Sequence, residues 1–155
     1  MAETSEDCKR VTNQLNDAKT CVSNAYDAQK AAAEKVTAAL TAHQTALVEF
    51  NSDKLADDKA KKAKEQAEYD LAKFDGNDPG GDGLPGRRYP WEEAVKAAKA
   101  TQENTEAALK AADTALGTAV TDLKNKQDDL VAAAGVHSSA VKRESEWQAQ
   151  VKEYC

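Results

Sequence analysis

The chain combines 155 residues with a net charge of −6, and its two Trp, four Tyr and two Phe are few beside its many alanines. The excess of acidic groups argues against general binding to nucleic acids or anionic membranes, both of which attract Lys and Arg. Because an alanine side chain buries little apolar surface, this composition excludes a thick globular core and favours a narrow interface between helices.

Glycine and proline divide the chain into three parts. Neither occurs before Gly76, seven of the eleven residues from Gly76 to Gly86 are one or the other, and after Pro90 only Gly117 and Gly135 interrupt the chain. The flanks are rich in good helix formers such as Ala, Lys, Glu and Gln. The sequence therefore predicts a single all-α domain over 1–155, a long antiparallel two-helix hairpin. Its parts are a helix over 4–74, a Gly/Pro loop over 75–89 and a helix over 90–154.

The first arm carries a heptad pattern. Thr4 or Ser5 can cap its start. Two interleaved series of seam positions follow, one mixed and one mostly alanine: Cys8, Leu15, Val22, Gln29, Val36, His43, Phe50, and Val11, Ala18, Ala25, Ala32, Ala39, Ala46. A repeat sustained in this way is typical of a coiled coil, and alanine at the seam lets two helices approach closely.

The seam becomes polar in the segment DKLADDKAKKAKE, where Asp53, Asp57 and Lys64 fall on its projected positions. We expect a solvated stretch with a local phase shift. The seam would then use the neighbouring residues Leu55, Ala56, Ala60 and Ala63. The alternative is a weak, partly open seam that a partner could enter.

Several oxygen ligands gather at the loop: Asp75, Asn77, Asp78 and Asp82. Gly80 stands sixth from Asp75, as the glycine of an EF-hand does, but Pro79 takes the fifth position and Gly86 replaces the bidentate glutamate. Ordinary turn chemistry accounts for the same residues. The sequence thus predicts no metal site and leaves these four residues as weak candidates for calcium ligands.

A basic and aromatic cluster follows the loop and comprises Arg87, Arg88, Tyr89 and Trp91. One interpretation is a hinge packed by Trp91. The other is a tip for partner contact, since exposed Arg, Tyr and Trp are frequent anchors of protein interfaces. The residues themselves support both equally.

The second arm begins with Pro90, which suits the first turn of a helix. Its seam series are Val95, Gln102, Leu109, Leu116, Leu123, Leu130, His137, Glu144, Val151, and Ala98, Thr105, Ala112, Ala119, Lys126, Ala133, Ala140, Trp147, Tyr154. Polar residues within such a seam cost stability and can set the register of the helices.

The position of the loop predicts the register of the hairpin. With the arms antiparallel, residues whose numbers add up to roughly 163–165 face each other. Phe74 then lies near Trp91, and Cys8 lies opposite Cys155, where we expect a disulfide. Without that bond, Cys8 would be a small buried hydrophobe and Cys155 a frayed terminal thiol.

No arrangement of residues specifies catalysis. Cys21 faces the region of Lys142 and Arg143, so we expect a free, partly covered thiol, with an intermolecular bridge as the alternative. His43 and His137 are far out of step in this register and cannot share a metal. Phosphate-binding glycine loops and catalytic triads are absent from the sequence. We expect no enzymatic activity and no cofactor.

Apolar residues beyond the seam predict association with protein, either another copy or a different partner. They include Leu40, Leu47, Val48 and Val131. A helix that is apolar over a broad face requires more than one neighbour. An alternative fold would bury these additional apolar residues within the chain itself. Breaks near Asn51–Asp53 and Gly117 would give a compact four-helix bundle.

These observations favour a non-enzymatic structural or linker subunit, a helical spacer that packs along partners in a larger assembly. The alternative is an extracellular surface stalk or binding module that contacts a partner through its loop tip. A bridge between Cys8 and Cys155 would favour an oxidising or extracellular compartment. The N-terminus lacks the apolar core of a signal peptide, so we expect a protein outside the usual export route or one whose leader has been removed. No apolar run approaches the ~20 residues that span a bilayer, so we expect no membrane insertion.

Overall fold

The computed structural model describes residues 5–77 and 87–155, and within them the chain forms two α-helices and no strand. Helix α1 spans Glu6–Asn77 and helix α2 spans Tyr89–Tyr154. The two helices pack against each other, which confirms the predicted all-α helical hairpin. Ser5 caps α1, because its hydroxyl oxygen accepts a hydrogen bond of 3.1 Å from the backbone N–H of Cys8.

Helix α1 ends later than predicted and includes Gly76 and Asn77. A glycine in a helix costs only about 1 kcal/mol relative to alanine, so Gly76 alone does not stop it. The predicted loop over 75–89 is therefore too long at its first end.

Both helices are continuous where the four-helix alternative required breaks. Asn51–Asp53 lie within α1 and Gly117 lies within α2. None of these residues is a proline, so each keeps its backbone N–H for the helix and lowers helix propensity by about 1 kcal/mol or less. The alternative of a four-helix bundle with breaks at these points is wrong.

The chain groups into two compact units. The terminal unit comprises Met1–Ala42 and Val120–Cys155, and the loop unit comprises His43–Ala119. Each unit contains one segment of α1 and one segment of α2. That the two together behave as a single domain remains a prediction.

The terminal unit has the predicted alanine seam. Its buried core consists of Val11, Ala18, Ala25 and Ala39. The other seam positions predicted for this unit are half-buried, apart from Tyr154, which is exposed. The heptad pattern therefore identified the contact face of both helices, and the small side chains keep this core narrow.

The loop unit keeps the same heptad phase through its polar segment. Asp57, Ala60 and Ala112 are buried, and Asp53 and Lys64 are half-buried. Of the four residues predicted for a shifted seam, Leu55 is 57% exposed and Ala56 and Ala63 are exposed as well, whereas the buried Ala60 also lies on the unshifted heptad phase. The predicted phase shift is wrong, because a polar residue can stay in the seam when its hydrogen-bonding groups find partners there.

Candidate functional site

A disulfide joins the two helices in the terminal unit. Cys8 and Cys155 are bonded, with their Cα atoms 5.1 Å apart, which confirms the predicted pairing. Farther along the same unit, the rings of Tyr26 and His137 lie with centroids 5.9 Å apart. Both pairs fit the predicted antiparallel register. His137 is a half-buried polar residue of the seam, as expected.

In the loop unit, an ion-pair cluster connects the end of α1 with the start of α2. The Arg88 guanidinium donates hydrogen bonds to both carboxylate oxygens of Asp75, at 2.9 and 3.0 Å, and a third of 2.9 Å to Glu92. The Asp75 hydrogen bonds are the main cause that raises the pKa of Arg88. Because the three side chains remain about half exposed, water screens these ion pairs.

An aromatic stack lies beside this cluster. The rings of Phe74 and Trp91 are 5.9 Å apart and inclined by 28°, which confirms that these residues face each other. Trp91 and Arg88 both connect the helices, which supports the hinge interpretation for these two residues. Tyr89 is 59% exposed, so its aromatic surface is accessible to another molecule. Partner contact by this cluster remains a prediction.

The calcium candidates are only partly described. Asp75 directs both carboxylate oxygens to Arg88, so a cation there would have to displace a guanidinium. The side chain of Asn77, and Asp78 and Asp82 as a whole, lie outside the described residues. Over 5–77 and 87–155, no group of three His, Cys, Asp or Glu side chains lies close enough to hold a metal ion.

A buried polar pair crosses the seam of the loop unit. The Asp57 side chain is 1% exposed, and one of its oxygens accepts a hydrogen bond of 3.0 Å from the Thr105 hydroxyl on α2. Its other oxygen lies 2.8 Å from the Lys61 ammonium on its own helix. The Lys61 hydrogen bond is the main cause that lowers the pKa of Asp57, and Thr105 contributes to the same shift. Sequence reasoning missed this pair, although both residues lie on predicted seam positions.

The residues predicted to meet a partner along the helices are exposed. Val48 and Val131 are 70% and 72% exposed, and Leu40 and Leu47 are exposed to a smaller extent. Further exposed apolar residues include Tyr26 and Tyr69, which sequence reasoning overlooked, and Leu55, which it had assigned to the seam. The signal for the two tyrosines was available, because Tyr26 lies two heptads before Leu40 and Tyr69 lies two heptads after Leu55.

Four exposed residues of the terminal unit form what we call the lateral stripe: Tyr26, Leu40, Val120 and Val141. Each directly follows an alanine of the seam, namely Ala25, Ala39, Ala119 and Ala140. In an antiparallel pair, positions that follow corresponding seam residues flank the same side of the seam. The lateral stripe thus lines one side of the helix pair with apolar side chains from both helices.

A groove of about 860 Å³ lies along the terminal unit, and its lining is mostly small residues: Ala25, Ala28, Ala132, Gly135, Ser139 and Ala140. Cys21 and Arg143 also line it, in agreement with the predicted proximity of this cysteine to Arg143. Cys21 is a free thiol, as expected, but it is exposed rather than partly covered.

Comparison with models of protein families, with curated proteins and with solved structures gives no match. In the described part of the chain, neither helix contains a segment apolar enough to cross a membrane. What the chain does therefore has to be inferred from its own surfaces.

Proposed function

We propose that this protein is a non-enzymatic structural or linker subunit, a helical spacer that packs along protein partners in a larger assembly. The observation that carries this proposal is the lateral stripe beside a seam that is already closed. The seam side chains are used in pairing α1 with α2, whereas Leu40 and Val120 remain 44% and 48% exposed.

The apolar face of each helix is wider than the seam alone, because exposed apolar residues lie beside it. A two-helix pair needs only the narrow seam, while helices that are also apolar beside the seam are typical of bundles with three or more helices. Exposed apolar surface is stabilised when another helix removes it from water, at about 25 cal/mol per Å². The lateral stripe therefore fits a helix supplied by another protein or by a second copy.

The test is cross-linking mass spectrometry on the protein in its native source, combined with two double variants. Leu40→Gln with Val120→Gln removes apolar surface from the lateral stripe. Asp27→Gln with Asp128→Gln makes the matched control at exposed positions away from the seam. We expect a stoichiometric partner that the stripe variant loses and the control retains. A monomer without a partner at high concentration, or equal binding by both variants, contradicts the proposal.

A second candidate is an extracellular stalk or binding module that contacts its partner through the loop tip. The disulfide supports it, since such bonds persist in oxidising compartments. Arg88 and Trp91 have intramolecular partners, so their replacement would also disturb the helix ends. Tyr89→Ala is the cleaner probe because Tyr89 is mostly exposed. Loss of partner binding with unchanged helicity favours this function, and unchanged binding argues against it.

A further inference from the structure

We propose that the hydrogen bond between Asp57 and Thr105 selects the register in which α1 and α2 pair when no disulfide holds them. Asp57 is the one buried polar side chain among the described residues. It lies in the seam, where a change of register would change its neighbours on the other helix.

The alanine positions of the seam discriminate poorly between registers. On α1 the alanine series repeats without change at Ala18, Ala25, Ala32, Ala39 and Ala46. On α2 alanine recurs in the corresponding series, at Ala98, Ala112, Ala119, Ala133 and Ala140. Because one alanine replaces another after a shift of one heptad, these contacts are similar in the native and the shifted pairing. Selection of one register therefore depends on the residues that break the repeat.

The pair formed by Asp57 and Thr105 breaks the repeat in both directions. The residues one heptad before and after Thr105 on α2 are Ala98 and Ala112. After a shift by one heptad either way, Asp57 therefore faces a methyl group instead of a hydroxyl donor. A buried carboxylate oxygen without a donor is unfavourable, so both shifted registers are destabilised relative to the native one.

The contact between Lys61 and Asp57 cannot provide this discrimination, although at 2.8 Å it is shorter than the hydrogen bond from Thr105. Lys61 lies one turn away on the same helix and moves together with Asp57 in any register. Asp57 is the main cause that raises the pKa of Lys61, and Glu106 on α2 and Asp58 on α1 add smaller contributions. These groups act on the exposed lysine. Of the two contacts that Asp57 makes, the one that depends on the relative position of the helices is the hydrogen bond from Thr105.

The experiment measures the register directly by double electron–electron resonance. Spin labels are placed at Asn51→Cys on α1 and Ala100→Cys on α2, both exposed positions of the loop unit, after Cys8, Cys21 and Cys155 have been changed to serine. The labels lie at different levels along the helix pair, so a shift of one heptad changes their separation along the helix axis by ~10 Å. We expect one distance in this labelled parent protein.

Two variants remove the interaction in different ways. Asp57→Leu replaces the carboxylate by an apolar seam residue, and Thr105→Val keeps the shape of the threonine but removes its hydroxyl. We expect both to show a second distance, displaced as a one-heptad shift requires, with helicity retained. Thr105→Ser, which restores a hydroxyl, should keep the single distance.

Asp53→Leu is the matched control, because Asp53 is a half-buried aspartate in the same seam. It should also keep the single distance. The proposal is overturned if Asp57→Leu and Thr105→Val retain the distance of the parent alone. It is also overturned if the labelled parent already shows several distances, or if the Asp53 control loses its register.

Discussion

Asp57 places a carboxylate in a seam that is otherwise formed largely by alanine and aliphatic residues. A charged group taken from water needs partners for its oxygens, and here Lys61 and Thr105 supply them from two helices. Among the described residues, no buried side-chain nitrogen or oxygen lacks a partner. Such a pair contributes less to stability than its short distances suggest, because desolvation offsets much of the attraction.

The lowered pKa of Asp57 predicts an acid-dependent loss of stability. The Lys61 hydrogen bond is the main cause of the shift, and the pKa falls below its ordinary value of 3.8. The stabilisation from Asp57 is therefore present above that value and is lost as the pH falls through the lower pKa of the folded state. Lys61 behaves in the opposite sense, because its pKa is raised in the folded state. Its contribution to the stability of the fold is fully present below pH 10.5, the ordinary pKa of lysine, and is lost as the pH rises through the higher pKa of the folded state.

Thermal melts of the wild type and of Asp57→Asn check this prediction. The difference in Tm should be constant between about pH 5 and 8 and should shrink below pH 3.8. Asp53→Asn, which removes the charge of a half-buried aspartate in the same seam, is the control for a general effect of lost charge. A difference in Tm that does not vary down to pH 2 would contradict the assignment.

The stack of Phe74 on Trp91 makes a prediction for the loop unit. Phe74→Ala removes the ring that faces Trp91 and should lower the free energy of unfolding by about 1–2 kcal/mol, since the partly exposed pair loses stacking and some buried area. Trp91 should then emit at longer wavelength. Fluorescence in a Trp147→Phe background isolates this signal. Tyr69→Ala, at an exposed position of the same helix, is the control and should leave the emission unchanged.

At the scale of the helices, the alanine seam determines how closely α1 and α2 approach. Ala39 is buried, whereas Ala38, its neighbour in the chain, is exposed. Ala39→Leu should overpack the seam and destabilise the protein by about 1–3 kcal/mol. Ala38→Leu should stay within about 0.5 kcal/mol of the wild type. Urea denaturation of both variants measures the difference, and equal stabilities would show that the seam is not tightly packed at Ala39.

The ends of the two helices are stabilised by different interactions. The Ser5 side chain caps the start of α1, and at the start of α2 the backbone carbonyl of Arg88 accepts hydrogen bonds from the N–H groups of Trp91 and Glu92. Since α2 ends next to the disulfide, the last residue is held by a covalent bond as well as by the hydrogen bond from the Cys155 N–H to the carbonyl of Val151.

For the whole molecule, the disulfide closes a segment with a sequence separation of 147 residues. In the chain-entropy model a closure of this length stabilises by roughly 4–5 kcal/mol, as an upper value. Cys8→Ser with Cys155→Ser should lower the free energy of unfolding by up to that amount and leave most of the helical signal.

Reduction of the disulfide should loosen this end of the terminal unit first, because Cys8 near the start of α1 and Cys155 after the end of α2 are then no longer covalently joined. Trp147 is half-buried in that unit, and its emission should shift to longer wavelength in a Trp91→Phe background. Non-reducing peptide mapping should find Cys8 linked to Cys155, and Cys21 should react with an alkylating reagent. A bridge from Cys8 to Cys21, or three free thiols without reductant, would contradict this connectivity.

The sequence alone predicted the two helices, the seam outside the polar segment of α1, and which residues of the two helices face each other. The heptads identified the buried face because residues three and four apart recur on one side of a helix. The cluster of glycine and proline located the turn, and counting outward from it placed Cys8 opposite Cys155. These predictions succeeded because they depend on local periodicity and on chain length, both of which the sequence states directly.

The tertiary structure decided what becomes of the polar segment within the seam. The lysines and aspartates around Asp57 in the sequence predicted a solvated segment with a phase shift. In the structure Asp57 is buried and the heptad phase is kept. The deciding contact is the hydroxyl of Thr105, which lies 48 positions away in the sequence and reaches Asp57 only when the helices pair. A buried charge is stable only with partners in place, and those partners exist only in the folded chain.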